Sequence, residues 1–588
     1  MGLEKLIITG RSICELSRYI DLRLTLVVSQ SVGKKERPSI FQIRSDSFRM
    51  GSIQEVVDCD VLVVGAGLSG ISMLYKLRKQ GLVAKIFEAG DDFGGTWHWA
   101  KYPGARVDSE FPFYQLNIPE VWKTWGFTQR FPHQQELRDY FRHVDKQCDL
   151  RKDTYFNTRV VEAVWNEEMG RWTIYTDSGR WARVKYLVVA SGSLDKQYTP
   201  EIPGLADFKG EMYHSRSWPQ GTSLEGKKVA VVGAGATGIQ VVQETAKQAS
   251  ELTVFIRRPS TCLPMGQRDI TDEERASQIG KYPDLFRDCR SSWSGFPFKP
   301  GPKAVEATPE EREAVFNETW SRGGFAFLTA YSDPRTDPVA NRMVYDFWAK
   351  KVRQRISDPV KREILAPEIP LYYFGTKRSP LEQDYYEMLD RDNVKVVSLR
   401  SNPFQKLHTK GAVMQDGSSH EFDVLIMATG FESFTGSLYG LGLKNRHGID
   451  IKDVWAEEIH TFLGLLVRDL PNCFVVFGPQ APTTLYNAPT TIECQTDIVT
   501  DLIVKTEQRG AKSIETTKIA EQEWAQLLDS QFRQSLVKHT PSWWTRANVP
   551  GAKTQPLTYL GGLMEYEKLC LTAIESDTGL VYKGVVGH

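Results

Sequence analysis

Residues 58–90 read DCDVLVVGAGLSGISMLYKLRKQGLVAKIFEAG. An apolar run predicts a buried strand, a glycine turn follows it, apolar residues at three- and four-residue spacing predict a helix, and KIFE closes a second strand. Gly65, Gly67 and Gly70 fill the GxGxxG pattern: the first permits the tight turn, the second lets a pyrophosphate approach the backbone, and the third lets helix pack on strand. Glu88 ends the second strand about twenty residues on, where a carboxylate accepts hydrogen bonds from ribose hydroxyls. Strand, turn, helix and terminal acid together specify a dinucleotide-binding fold.

The pattern returns at 227–259, KKVAVVGAGATGIQVVQETAKQASELTVFIRRP. Gly233, Gly235 and Gly238, with Thr237 among them, build the same turn. Here the second strand ends in Arg257 and Arg258 rather than an acid. A carboxylate there would repel a 2'-phosphate and arginine attracts it, so the second nucleotide is expected to be NADPH. One of the two arginines is expected only to cap the strand end at the surface. A second dinucleotide fold selective for NADPH implies that the first holds FAD, which takes the hydride.

Two further strands, YLVVASGS at 186–193 and DVLIMATGFE at 423–432, each end in a small residue and a glycine, one before and one after the second motif. The second nucleotide fold is therefore expected to interrupt the first. Between about 270 and 370 lies a polar, aromatic stretch with helix-forming runs such as TPEEREAVFNETW. The predicted architecture is α/β: two Rossmann-like dinucleotide-binding domains for FAD and NADP, the NADP domain inserted into the FAD domain, plus a helical insertion. The expected boundaries are 55–200 for the first part of the FAD domain, 201–395 for the NADP domain, and 396–588 for the rest of the FAD domain with a C-terminal active-site loop. Residues 1–54 are expected to be a disordered extension or, since MGSIQEVV opens at Met50, a misassigned start.

Composition narrows the function. A chain of 588 residues exceeds the roughly 250–300 that one core supports. The 73 basic and 73 acidic residues cancel, which leaves no field for nucleic acid or anionic lipid. The eight cysteines (Cys14, Cys59, Cys148, Cys262, Cys289, Cys473, Cys494 and Cys570) form no CxxC pair, so a flavin disulfide reductase and a zinc site are excluded and a reducing compartment is expected. No run approaches the roughly 18 apolar residues of a membrane span. These features predict a cytoplasmic enzyme, expected to be a monomer, acting on a small molecule and passing its electrons to oxygen or an outside acceptor.

Two motifs choose between those acceptors. Phe208, Gly210, His214, Trp218 and Pro219 fit FxGxxxHxxxWP, and GGTWHWAKYPGARVD at 94–108 fits GGxWxxxxYPGxxxD. On these residues the chain resembles the Baeyer–Villiger monooxygenases from about residue 55 to its C-terminus. The related flavin enzymes that oxygenate nitrogen or sulfur usually carry Tyr or Phe at the place of Trp218. The resemblance implies that FAD reduced by NADPH reacts with O2 to give a C4a-peroxyflavin, which attacks a ketone and yields an ester or lactone. It implies that Arg378 supplies the fixed positive charge and Asp108 is its partner carboxylate. It also implies that Lys377 and Arg257 contact the NADP phosphate, that Thr96, Trp97 and Asp108 border the flavin, and that Trp543 bonds the nicotinamide ribose. Trp544, Thr545 and Arg546 depart from the family pattern beside it. His214 is expected at a hinge between the nucleotide domains or as a structural residue, with acid/base catalysis the sharper alternative. The loops FESFTGSLYG and QAPTTLYNAP, aromatic and uncharged, suit a bulky apolar cyclic ketone from secondary metabolism. The competing readings are N- or S-oxygenation and a nucleotide-binding scaffold without turnover.

Overall fold

The strand Val56–Val64 lies between two parallel neighbours, Ala84–Phe87 and Trp181–Val189, and is sealed on both faces over Val61–Val64. That is why VLVV and YLVV read as unbroken apolar runs rather than as alternating ones. The structure, a computed structural model, describes residues 56–547, 549 and 551–584; the extension expected over 1–54 lies outside the described residues. The first sheet has eight strands. Beyond the parallel pairs it continues through the antiparallel ribbon Val160–Asn166 and Arg171–Thr176. The late strands Leu443–Lys444 and Cys473–Val475 add to it in parallel.

The second sheet has five strands in the order Val394–Ser398, Glu251–Ile256, Lys228–Val232, Val424–Met427 and Glu211–His214, all parallel. It interrupts the first sheet as expected, but the boundary at 395/396 falls inside it. Residues 396–398 and 424–427 belong to this second sheet, which runs on to Met427. The error has a simple cause: a strand buried on both faces in a parallel sheet carries the same apolar run in either domain, so VLIM does not say which sheet it joins. A small antiparallel sheet, Phe404–His408, Gly411–Met414 and Ser419–Glu421, packs beneath it through Leu407, Ala412 and Met414.

The chain enters and leaves the second domain at one place. Tyr198 N donates to the Gly430 carbonyl at 2.9 Å and Glu432 N to that of Lys196 at 3.0 Å. Between 270 and 370 the described elements are chiefly helices, among them Pro309–Arg322 and Pro338–Arg353. Thr308 and Glu311 close a capping box on the first and Asp337 caps the second, each with proline in the first turn. Their apolar faces meet in an aromatic core of Phe316, Phe327 and Phe347.

Candidate active site

The two glycine turns divide their three glycines by task. A Cβ at Gly65, where φ is +107°, would sit 2.6 Å from the Ala190 carbonyl oxygen, and one at Gly70 would run into the Gly65 carbonyl. A Cβ at Gly67 would meet nothing nearer than Gly95 Cα at 3.4 Å. In the second turn Gly233 backs onto the Ala428 carbonyl and Gly238 onto that of Gly233, whereas nothing stands within 4 Å of a Cβ at Gly235. The protein's own packing requires the first and third glycines. The middle one leaves bare backbone for a ligand.

Around the first turn, Glu88 is buried and accepts from Ala66 N and Gly90 N, both at 2.6 Å. Burial raises its pKa above the usual carboxylate range, against the pull of the two backbone N–H groups and of Arg159 and Arg216. Thr96, exposed, opens the short helix Thr96–Trp99 just after Gly95, which faces Gly67. Trp97 donates to the Tyr114 hydroxyl at 2.9 Å.

Past the second turn, Arg257 and Arg258 are exposed at the strand end. The half-buried Lys377 lies with its ammonium over the Tyr372 ring at 4.4 Å. Among the described residues, no carboxylate pairs with any of the three. Burial, then Arg258 and Arg257, lower the Lys377 pKa to about 8. Three cations without a counter-charge make a site for a dianion. Thr237 stands beside the Tyr102 phenol. Trp543 packs on Phe434 at 5.5 Å and on Trp544; its neighbour Pro541 accepts from Arg258 at 3.3 Å.

Arg378 and Asp108, 270 positions apart in sequence, meet as a bidentate pair: Nε to Oδ2 at 2.6 Å and Nη2 to Oδ1 at 2.8 Å. The remaining Nη1 donates to the Thr484 carbonyl at 2.9 Å, and the guanidinium lies 4.9 Å over the Phe325 ring. Burial alone would lower the arginine's pKa; the Asp108 carboxylate outweighs it and holds the group above its ordinary value. Phe113, Phe296 and Phe298 continue the wall from Phe325. The result is a charge fixed in direction, permanently protonated, and backed by aromatic rings.

The fingerprint residues stand at the chain crossing instead. His214 is buried; its Nδ1 accepts from Arg216 N and its Nε2 reaches the Gly430 carbonyl, both at 3.1 Å. Burial lowers its pKa, so the neutral imidazole is the native form. Phe208 packs on Phe422, Gly210 backs onto the Asp423 carbonyl, and Trp218 leans on Tyr213. None of the four bonds to Arg378 or Asp108. Arg216, between them, was not picked out by the motif: it pairs with Asp195 and lies 4.1 Å over Trp99, joining the two signatures. Its position is a variable one in the pattern, so nothing in the spacing marks it.

A model of the flavin-binding monooxygenase-like family matches residues 58–267. The FAD-binding monooxygenase acrE of Aspergillus aculeatus is 40% identical over 90% of each chain. Cyclopentanone 1,2-monooxygenase of Comamonas sp. is 38% identical over 86% of this chain and 92% of its own. A Baeyer-Villiger monooxygenase of Pseudooceanicola batsensis is 35% identical over 88% and 95%. Cyclohexanone monooxygenase from Rhodococcus sp. Phi1, solved bound to NADP+, superposes with a TM-score of 0.86 at 34% identity, covering 90% of this chain and 100% of that one. The chain belongs to the Baeyer–Villiger monooxygenases. As a Baeyer–Villiger monooxygenase it is an NADPH-dependent flavoprotein, which accounts for two glycine turns of which only the second is followed by cations. Among the described residues no cluster could hold a metal ion and no helix is long and apolar enough to cross a membrane.

Proposed function

We propose that this enzyme inserts one atom of O2 beside the carbonyl of a bulky, apolar cyclic ketone, giving a lactone in the biosynthesis of a secondary metabolite. The observation that carries the reading is the Arg378–Asp108 pair set against Phe325 in an aromatic wall. The overall change balances as ketone, O2, NADPH and a proton to lactone, water and NADP+.

The residues present fit both nucleotides, since each middle glycine offers uncovered backbone and the three cations face no carboxylate. FAD would lie along Gly65, Gly67 and Gly70, with Glu88 toward its ribose and Thr96, Trp97 and Asp108 toward its ring. NADPH would lie along Gly233, Gly235, Thr237 and Gly238, its 2'-phosphate among Arg257, Arg258 and Lys377, and Trp543 toward its nicotinamide ribose. Bound FAD, reduced by NADPH, supplies the redox chemistry with O2. Arg378 holds a positive charge where the ketone oxygen gains negative charge, and needs no reorganisation to do so because Asp108 and the Thr484 carbonyl already fix it. The aromatic wall excludes water and strengthens that interaction. His214, neutral and bonded at the crossing, orients the two domains rather than moving a proton.

Incubation with NADPH, 18O2 and a panel of cyclic ketones tests the reading. A lactone heavier by one 18O atom is expected with large apolar rings. Oxygenation of amines or sulfides only would overturn it.

Lys377 adds a pH signature. Its free-state pKa is about 8, and a bound 2'-phosphate favours the charged form. Above that pH, binding must therefore take up a proton. The Kd for NADPH is expected to rise as pH passes 8, by up to roughly tenfold per unit, and Lys377→Met should flatten the profile in a fluorescence titration.

A further inference from the structure

The helix Ala236–Gln248, which leaves the second glycine turn, buries an apolar face of Ile239, Val241 and Val242, yet spends two buried positions on Gln240 and Gln243. A buried carboxamide destabilises unless its bonds are met. Both of these side chains direct theirs to segments of the catalytic pair. Gln240 Nε2 donates to the Arg106 carbonyl at 2.9 Å, and its Oε1 accepts from the Tyr102 hydroxyl at 3.0 Å. Between those two points Gly104, at φ +80°, lies so close to the helix that a Cβ would sit 2.6 Å from the Gln240 carbonyl oxygen. Asp108 follows two residues after Arg106, whose own guanidinium is tied to Gln129 at 2.8 Å and to the Phe131 carbonyl at 2.5 Å. One helical turn on, Gln243 Oε1 accepts from Gln383 N at 2.7 Å and Asp384 N at 3.2 Å, on the segment that follows Arg378.

We propose that Gln240 and Gln243 are positioning residues: two grips three residues apart on one helix that set the distance between Asp108 and Arg378. The first carboxamide holds the loop carrying the carboxylate and the second holds the segment carrying the guanidinium. Residues three apart on a helix share a face at a fixed separation. The ruler begins at the NADP glycine turn, so the nucleotide that reduces the flavin rests on the element that spaces the catalytic pair. This inference rests on the reading of Arg378 and Asp108 given above.

The two grips differ in chemistry, which makes the test specific. Gln240 both donates and accepts, whereas Gln243 only accepts. Gln240→Leu and Gln240→Glu are expected to lower the lactone formed per NADPH oxidised by roughly tenfold or more, the scale of a small misplacement of a catalytic group. Flavin reduction by NADPH, followed at the flavin absorbance band, should stay within about twofold of wild type, since this loss acts after hydride transfer. Gln243→Leu should behave likewise, and Gln243→Glu, which keeps the acceptor, should restore coupling. Wild-type coupling in both Gln240 variants, or equal loss in Gln243→Glu and Gln243→Leu, would overturn the proposal. If Gln240→Leu fails to retain FAD, Tyr102→Phe removes the bond to Gln240 Oε1 together with the hydroxyl's contact with Thr237, and unchanged coupling there also overturns it. A crystal structure of a Gln240 variant gives a reading independent of turnover: an unaltered bidentate Asp108–Arg378 pair would end the inference. A wild-type enzyme that oxidises NADPH but forms no lactone would instead end the functional reading.

Discussion

Arg378→Ala is expected to reduce lactone formation by roughly 10²–10³-fold or more, the range for removing a preorganised oxyanion donor, while NADPH is still consumed. The guanidinium's bonds all go to Asp108 and the Thr484 carbonyl, none of them in the second glycine turn, so flavin reduction should persist and its electrons should appear as hydrogen peroxide. Arg378→Lys should rescue little, because a single ammonium cannot make the bidentate contact with Asp108 and the third bond to the Thr484 carbonyl at once. The measurement is product by mass spectrometry beside NADPH consumption and peroxide. Equal loss of flavin reduction and product would assign Arg378 to nucleotide binding instead.

Gly70→Ala should be the most destructive single methyl group in the first nucleotide fold. Its Cβ would collide with the Gly65 carbonyl, a backbone atom that cannot swing aside. A loss at the exceptional end, about 4 kcal/mol or more, is expected, seen as protein that neither holds FAD nor gives a sharp thermal transition. Gly67→Ala supplies the contrast. Its Cβ would meet nothing nearer than Gly95 Cα at 3.4 Å, so the fold should survive while FAD affinity falls. If the two variants melt alike, the division of the glycine turn into packing and ligand positions is wrong.

Spacing made part of this site legible and hid the rest. The glycine turns could be read because backbone geometry demands glycine at fixed intervals. Asp108 could be named because it closes a signature and Arg378 because the family resemblance implies it, and the structure brings them together across 270 positions. The placement of Val424–Met427 could not be read, since an apolar run is the same in either sheet. Nor could Gln240, Gln243, Arg216 or Phe325. Their work lies in contacts between distant segments, and a glutamine on a helix is, by its own pattern, a surface residue. Trp543 is legible only through the family resemblance; the structure adds its neighbour Phe434, from one of the loops expected to shape the substrate pocket.

The single crossing between the domains also bears on how the chain folds. The Thr429 hydroxyl bonds to the Tyr198 carbonyl across 231 positions. Were everything between a slack tether, bringing those points together would cost on the order of 5 kcal/mol in closure entropy. A guest domain that has already folded hands its host two ends lying side by side. The strands Leu443–Lys444 and Cys473–Val475, synthesised last, then add to a sheet begun hundreds of residues earlier. The host is expected to complete itself only after its guest, so damage to the NADP fold would surface as failure to load FAD.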